Sequence, residues 1–409
     1  MQAPQNTDTT AVCPFPHHLL NQQKTAKEPD YGAPAIERDA EGTWHIRNFE
    51  GMRSILRSGD TRQAGFNAEL ITRIPNMTNT PILYLEGQAH HQQRRQTARF
   101  FAPKVVSDKY YQVMEKLVDE IIAELQQKRS ADLSQLSMKL AVRVAAEVVG
   151  LTNSRLPGMA KRLEAFFGSE PLTFNWTPRV LLSFLRNQTR MAAFYYLDVQ
   201  PAIKARKRKA QEDVISHLVA QNYSQVEILT ECVTYAAAGM ATTREFISVA
   251  TWHLLEQPAL RQRYMEASEK ERHAILEEIL RVEPVVGHLY RRATAEITLE
   301  HEGTSYTIPQ DALIDLHIYN ANTDEAMVGD HPLAICPVRE LRGERLSPAM
   351  MSFGDGGHRC PGSYIAIQET DVLLQRLFSF DTLHIVHAPN VSWHAMIKGY
   401  ELRQFTIAL

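Results

Sequence analysis

The sequence predicts a mainly α-helical fold with a small β-rich part. Apolar residues recur at helical spacing through most of the stretch from Gln88 to about Leu197. A long apolar-rich run, roughly Gln225 to Glu256, reads as a helix buried through the centre of the fold. Strand-like alternation is confined to 285–320 and to a tail from about Thr382. Residues 1–32 are polar and contain proline, and read as a loose arm. Residues 33–409 read as one domain, since no linker divides them.

Taken in order, APAIERDAEGTWHIRN predicts a hairpin turning near Glu41-Gly42. FEGMRSILRSG predicts a short amphipathic helix ending at Gly59. Residues 60–85 have no clear period and mix apolar with turn residues, as a loop over a pocket would. The helical stretch that follows is broken at Pro103, near Asn153–Pro157 and at Ser169–Pro178, where LTFNWTP forms an aromatic connection. Ser224 and Glu227 make a capping box that opens the central helix. Two more helices are predicted at about 258–268 and 270–283, the second ending at Pro284.

Composition narrows the function classes. With 44% hydrophobic and 22% charged residues, the 409-residue chain has ordinary globular proportions. A net charge of -3 gives no bulk attraction to nucleic acid or to a membrane surface. The first twenty residues hold no charged start followed by a long apolar run, so neither a signal peptide nor an anchor is expected. The four cysteines, Cys13, Cys232, Cys336 and Cys360, are far apart. They suggest no disulfide framework and suit a reducing cytoplasm.

One short stretch carries the chemistry. Phe353 to Gly362 reads FGDGGHRCPG and gives way to SYIAIQETDVLLQRLF, which has helical spacing. A glycine loop, a cysteine and a helix start place the sulfur near a positive dipole end, a setting that favours thiolate. Pro361 fits a first helical turn. The glycines let the backbone lie close beneath something large and flat. A lone thiolate cannot build a zinc site, but it can be the axial ligand of a haem iron.

Here the chain resembles the cytochrome P-450 superfamily of haem-thiolate monooxygenases, whose loop reads FxxGxxxCxG. Phe353, Gly356, Cys360 and Gly362 match, with Gly354 beside Phe353 and His358 two places before the cysteine. Three further motifs occur in family order. Glu278 and Arg281 match ExxR, completed by Arg339 as a structural triad. His90 and Arg94 match HxxxR, and with Arg291 and His358 they would contact the haem propionates; His91 and Arg292 are adjacent competitors. AAAGMATT resembles the oxygen-binding segment, with Gly239 and Ala238 leaving room for a ligand and Thr242 near the bound dioxygen. The family's acid is missing, and Ala241 stands in its place. Glu245 is the next acid along the helix.

The resemblance implies a cytochrome P-450 fold with haem b between the central helix and the cysteine helix. It implies oxidation of a small molecule by dioxygen, with Cys360 as the metal ligand. Electrons would come from a ferredoxin or flavodoxin and its NAD(P)H reductase, docked on a basic face of Arg94, Arg95, Arg99, Lys104 and Arg359. Rival readings are an oxidase that couples, desaturates or uses peroxide, and a non-catalytic haem sensor. The expected pocket residues are Phe66, Ile71, Ile74, Phe167, Phe174, Tyr235, Ala238, Val286, Leu289 and Met396. Their apolar majority suits a mid-sized, largely apolar substrate.

Overall fold

The computed structural model describes residues 22–26, 31–66, 68, 79–167, 178–394 and 397–409, with 164–167, 178–181, 183 and 184 described by backbone alone. Helices dominate, as expected. The central helix runs as Gln225–Ala236, a π turn at Ala237–Ala241, and Thr242–Glu256. Both halves of the Ser224–Glu227 capping box are formed at its start. Thus local side chains satisfy N–H groups that the first turn leaves without partners. The cysteine helix, Ser363–Phe378, packs against the central helix and against Tyr111–Lys128 and Glu269–Val282. It buries Ile365, Ile367, Val372, Leu373, Leu374, Leu377 and Phe378 in the main hydrophobic cluster. Each such side chain stabilises the fold by about 1.5–3 kcal/mol relative to exposure.

The hairpin and the short helix form where expected. Strands β1 (Ile36–Arg38) and β2 (Trp44–Ile46) pair antiparallel, and Phe49–Arg57 follows. Strand β3 (Thr61–Gln63), β4 (Ser130–Asp132), β5 (His288–Ala293), β6 (Ile297–His301), β7 (Thr304–Ile308) and β8 (Leu313–His317) come next. The tail supplies β9 (His384–His387), β10 (Asn390–His394), β11 (Gly399–Arg403) and β12 (Thr406–Ala408). The largest sheet has the order β1-β2-β8-β5-β3; β2 and β8 are parallel and its other pairs antiparallel. Alternation along the strands sends Trp44, Ile46, Ile314 and Leu316 into a second core cluster with the Phe49–Arg57 helix. Among the described residues, no helix is long and apolar enough to cross a membrane.

Four local expectations change. Residues 22–26, within the expected loose arm, are pinned: the Lys24 N–H donates to Glu283 Oε1 at 2.6 Å, and the Thr25 hydroxyl donates to Glu283 Oε2. The central helix is not regular but widens at its small-residue segment. Pro361 lies outside the cysteine helix, because Gly362 is the N-cap and Ser363 the first helical residue. Cys336 is disulfide-bonded, which the wide cysteine spacing did not suggest.

Candidate active site

The cysteine loop closes on itself. The Cys360 N–H donates to Phe353 O at 2.8 Å, and the Gly354 N–H donates to Met351 O at 2.8 Å with Gly354 at φ +66°. Gly356 has φ +65°, and a Cβ there would lie 2.2 Å from Leu56 O. Only glycine lets the loop touch the end of the Phe49–Arg57 helix so closely. Asp355 locks the contact by accepting from Arg57 Nε at 2.8 Å. At Gly356, therefore, the constraint comes from the chain itself rather than from a flat ligand.

Cys360 is solvent-accessible, yet protein encloses it on the scale that governs charge solvation. Burial in that wider sense raises its thiol above the ordinary value, while the Gly362 N–H and the Arg94 and Arg359 charges oppose the rise. The expected thiolate-favouring setting is thus outweighed by enclosure, and a coordinated metal would be needed to deprotonate the sulfur outright. The Gly362 donor survives beside Pro361, which has no N–H to offer.

Beside the loop, segments far apart in sequence converge. Arg94 Nη2 donates to Arg359 O at 2.6 Å. The His90 and His358 rings stack at 4.0 Å with 19° between their planes. His358 Nε2 lies 3.0 Å from Glu86 Oε2, and Arg291 Nη2 lies 3.1 Å from Glu86 Oε1. Arg291 also donates to Thr61 Oγ1, Thr61 O and Gln63 Oε1, each at 3.1 Å. Burial, the His358 and Arg94 charges together push His90 down to about 4. Burial alone would raise Glu86, but the His358 bond and the Arg291 charge hold it below its usual value. The adjacent competitors turn elsewhere: His91 is exposed, and Arg292 Nη1 donates to Asp311 O at 2.9 Å.

Two arginines against one carboxylate leave excess positive charge in a partly enclosed site. That donor set suits a group bearing carboxylates, with an available sulfur beside it, and so fits haem held through Cys360. Glu86 competes for two of these donors. Sequence reasoning missed it, although it is the lone acid between Glu69 and Asp108.

On the central helix, the Thr242 hydroxyl donates to Ala238 O at 2.5 Å across the π turn. Its hydrogen is committed to the helix, leaving the oxygen to accept on its other side. Ala238 is exposed, whereas Gly239 faces Ala145, whose Cβ would lie 3.7 Å from an added Cβ. Glu245 is fully buried and structural: it accepts from Arg244 Nε, Leu402 N and Arg403 Nη1 at 2.7–2.8 Å.

The cysteine helix holds another acid that sequence reasoning missed. Glu369 is buried and hydrogen-bonded with Thr243, and its Oε2 has no protein partner. Desolvation pushes it up to about 8 despite the Thr243 bond. The clue was the run Gln368-Glu369-Thr370-Asp371, four consecutive polar residues in a helix that is buried along most of its length. At pH 7 Glu369 is neutral, so infrared difference spectra of wild type against Glu369→Gln show a protonated carboxyl band. That band fades above about pH 8; its absence at pH 7 would refute the assignment.

The Glu278 triad assembles around the loop's approach. Arg281 donates to both Glu278 oxygens at 2.7 and 2.8 Å, and Arg339 Nε reaches Glu278 Oε1 at 3.0 Å. Of the pocket residues, Leu289 sits over Gly354, Val286 is half-buried, and the Phe66 carbonyl accepts from the Tyr84 hydroxyl. Tyr235 turns toward the 97–101 segment, where its ring stacks on Phe101 at 6.0 Å. Ile71, Ile74, Phe174 and Met396 lie outside the described residues, as does the Phe167 side chain.

Comparison with known proteins agrees with this arrangement. The family model described as Cytochrome P450 matches residues 41–390. The mycinamicin IV hydroxylase/epoxidase of Micromonospora griseorubida is 24% identical over 365 residues, covering 85% of this chain and 83% of that protein. The erythromycin C-12 hydroxylase of Saccharopolyspora erythraea is 27% identical over 366 residues, covering 84% and 83%. The crystal structure of CalO2 superposes with a TM-score of 0.75 at 22% identity, over 92% of this chain and 93% of that one. The fold, the order of the motifs and the family match lead to one conclusion: the chain is an enzyme of the cytochrome P450 family.

Proposed function

We propose that this P450 hydroxylates a mid-sized, largely apolar organic molecule, with haem b held through Cys360 and electrons supplied by a ferredoxin or flavodoxin. The observation that carries the reading is the convergence of His90, Arg94, Arg291 and His358 beside Cys360. Thiolate-ligated haem supplies dioxygen activation, with sulfur donation favouring O–O cleavage. The chain's own part is to hold, orient and manage protons. Arg94, Arg291 and His358 bind the propionates, with His90 stacked neutral behind His358. Thr242 Oγ accepts a hydrogen bond while its own hydrogen stays on Ala238 O. Glu369 holds a proton beside Thr243 where Ala241 offers none.

The substrate class rests on the apolar pocket residues and on hydroxylation by the two relatives. The electron donor docks on Arg95, Arg99, Lys104 and Arg359, all exposed. Arg94 leaves that face, because it is turned to the Arg359 carbonyl. A screen of small molecules for shifts of the haem absorption band identifies the substrate. Ferredoxin-dependent NADPH oxidation then yields stoichiometric hydroxylated product; turnover without oxygen insertion would overturn the reading.

Ala241 favours a second reading, an oxidase driven by peroxide or one that couples or desaturates. Thr242→Ala separates the two. If Thr242 governs proton delivery, the variant diverts several-fold more reducing equivalents to peroxide, and Ala241→Asp changes the coupling ratio. Unchanged coupling in Thr242→Ala with a true substrate favours the second reading.

A further inference from the structure

One cluster of metal-binding side chains lies outside the site described above. Strand β2 runs parallel to β8 and sets His45 beside Asp315; β5 runs antiparallel to β8 and sets His288 opposite His317. Strand alternation brings all four to one face of the sheet, opposite Ile46, Ile314 and Leu316. His317 and Asp315 are buried, and His45 and His288 are half-buried, so the cluster is held firmly yet open to solvent at its edge.

The geometry is that of a chelate. His45 Nδ1 and His317 Nε2 are 2.9 Å apart. Asp315 Oδ2 lies 3.7 Å from the first and 3.6 Å from the second. A tetrahedral zinc ion with bonds of about 2.0–2.1 Å spaces its ligand atoms by about 3.3–3.4 Å, and this triangle straddles that value. The outer partners are also in place. Asp39 Oδ2 lies 3.0 Å from His45 Nε2, the carboxylate–histidine arrangement that fixes a metal-bound ring. His288 Nδ1 lies 2.9 Å from Asp315 Oδ1 and 3.2 Å from Oδ2, and orients the carboxylate. An ordinary hydrogen-bonded network would also use the 2.9 Å His45–His317 contact. It would not require a carboxylate nearly equidistant from both nitrogens, nor a second carboxylate behind one ring.

We propose that His45, Asp315 and His317 form a zinc-type divalent metal site with its fourth position open to water. Binding needs lone pairs on both His45 Nδ1 and His317 Nε2, so the proton between them leaves His317 Nε2 for solvent while His317 Nδ1 takes one up, and the ring stays neutral. His45 keeps its Nε2–H on Asp39. The ion ties the N-terminal hairpin to β8, whose other neighbour β5 carries Leu289 and Arg291 on its opposite face. It therefore stiffens the sheet that presents Arg291 to the Cys360 cluster.

The test uses the haem-loaded protein and zinc itself, in competition with a chromophoric zinc chelator at neutral pH. Wild type binds one equivalent with a micromolar or tighter Kd, and zinc raises its thermal midpoint. His45→Asn and His317→Asn lose at least about 100-fold in affinity and the thermal gain. Asp39→Asn keeps an Oδ1 acceptor for the Thr43 N–H, which donates to it at 2.7 Å in the hairpin turn, and so keeps the fold; it retains the stoichiometry and loses about 10–100-fold. No stoichiometric binding to wild type overturns the site. So does binding that survives His317→Asn, or an unchanged affinity in Asp39→Asn should the histidine variants not fold.

Discussion

Cys360→Ser loses the thiolate-type carbon monoxide spectrum and at least about ten-fold in product formation, whereas Cys232→Ser keeps both. The three described cysteines differ in kind. Cys232 is buried in the central helix, where desolvation holds its thiol far above the ordinary range, and Cys336 is disulfide-bonded. Cys360 alone among the described cysteines is a free, solvent-accessible thiol, and it lies beside Arg94 and Arg359. Its raised thiol makes the result sharper. Enclosure disfavours the anion, and a coordinated metal would favour it by taking the proton's place. A serine hydroxyl is less acidic still and cannot supply that anion. Persistence of the thiolate band in Cys360→Ser would reassign the ligand.

Glu278→Ala costs about 3–5 kcal/mol of folding stability, and the variant fails to retain haem. Arg281 is 0% exposed. Besides Glu278, it donates to Asn322 O and Pro332 O at 2.8 Å and to Ala334 O at 3.1 Å. Arg339 donates to four carbonyls, those of Val328, Asp330, His331 and Ala334, at 2.8–3.1 Å. Glu278 Oε1 also accepts the Cys336 N–H at 2.9 Å. One carboxylate therefore balances two guanidiniums that together hold the 328–339 segment. Removing it leaves two charges in an enclosed place without a counter-charge, which costs far more than an exposed pair would. Against a typical total stability of about 5–15 kcal/mol, that loss is severe. Glu278→Gln keeps the shape and loses less. Urea unfolding together with haem content measures both, and a midpoint unchanged in Glu278→Ala would refute the triad's structural role.

What sequence alone determined was local. Three-residue spacing on a helix put Glu278 and Arg281 on one face, and four-residue spacing did the same for His90 and Arg94, because helical geometry sets such distances before any packing. The Ser224–Glu227 box was legible for the same reason: its partners lie within one turn. What depended on the assembled fold was left to tertiary structure. His90 and His91 are neighbours, and only the stacking against His358 selects between them. Glu86 gains its role from Arg291 and His358, more than two hundred residues away. Glycine was legible at 356, but its physical cause, the Leu56 carbonyl, was not. The Cys360 thiol was expected to fall, because a dipole can be inferred from neighbours along the chain. It rises, because enclosure is supplied by segments distant in sequence. In the same way β2 meets β8 only in three dimensions, and their parallel pairing sets His45 against Asp315 across 270 residues of chain. Spacing along the chain fixes which side chains share a face; the packing of faces decides which charges are desolvated and which meet.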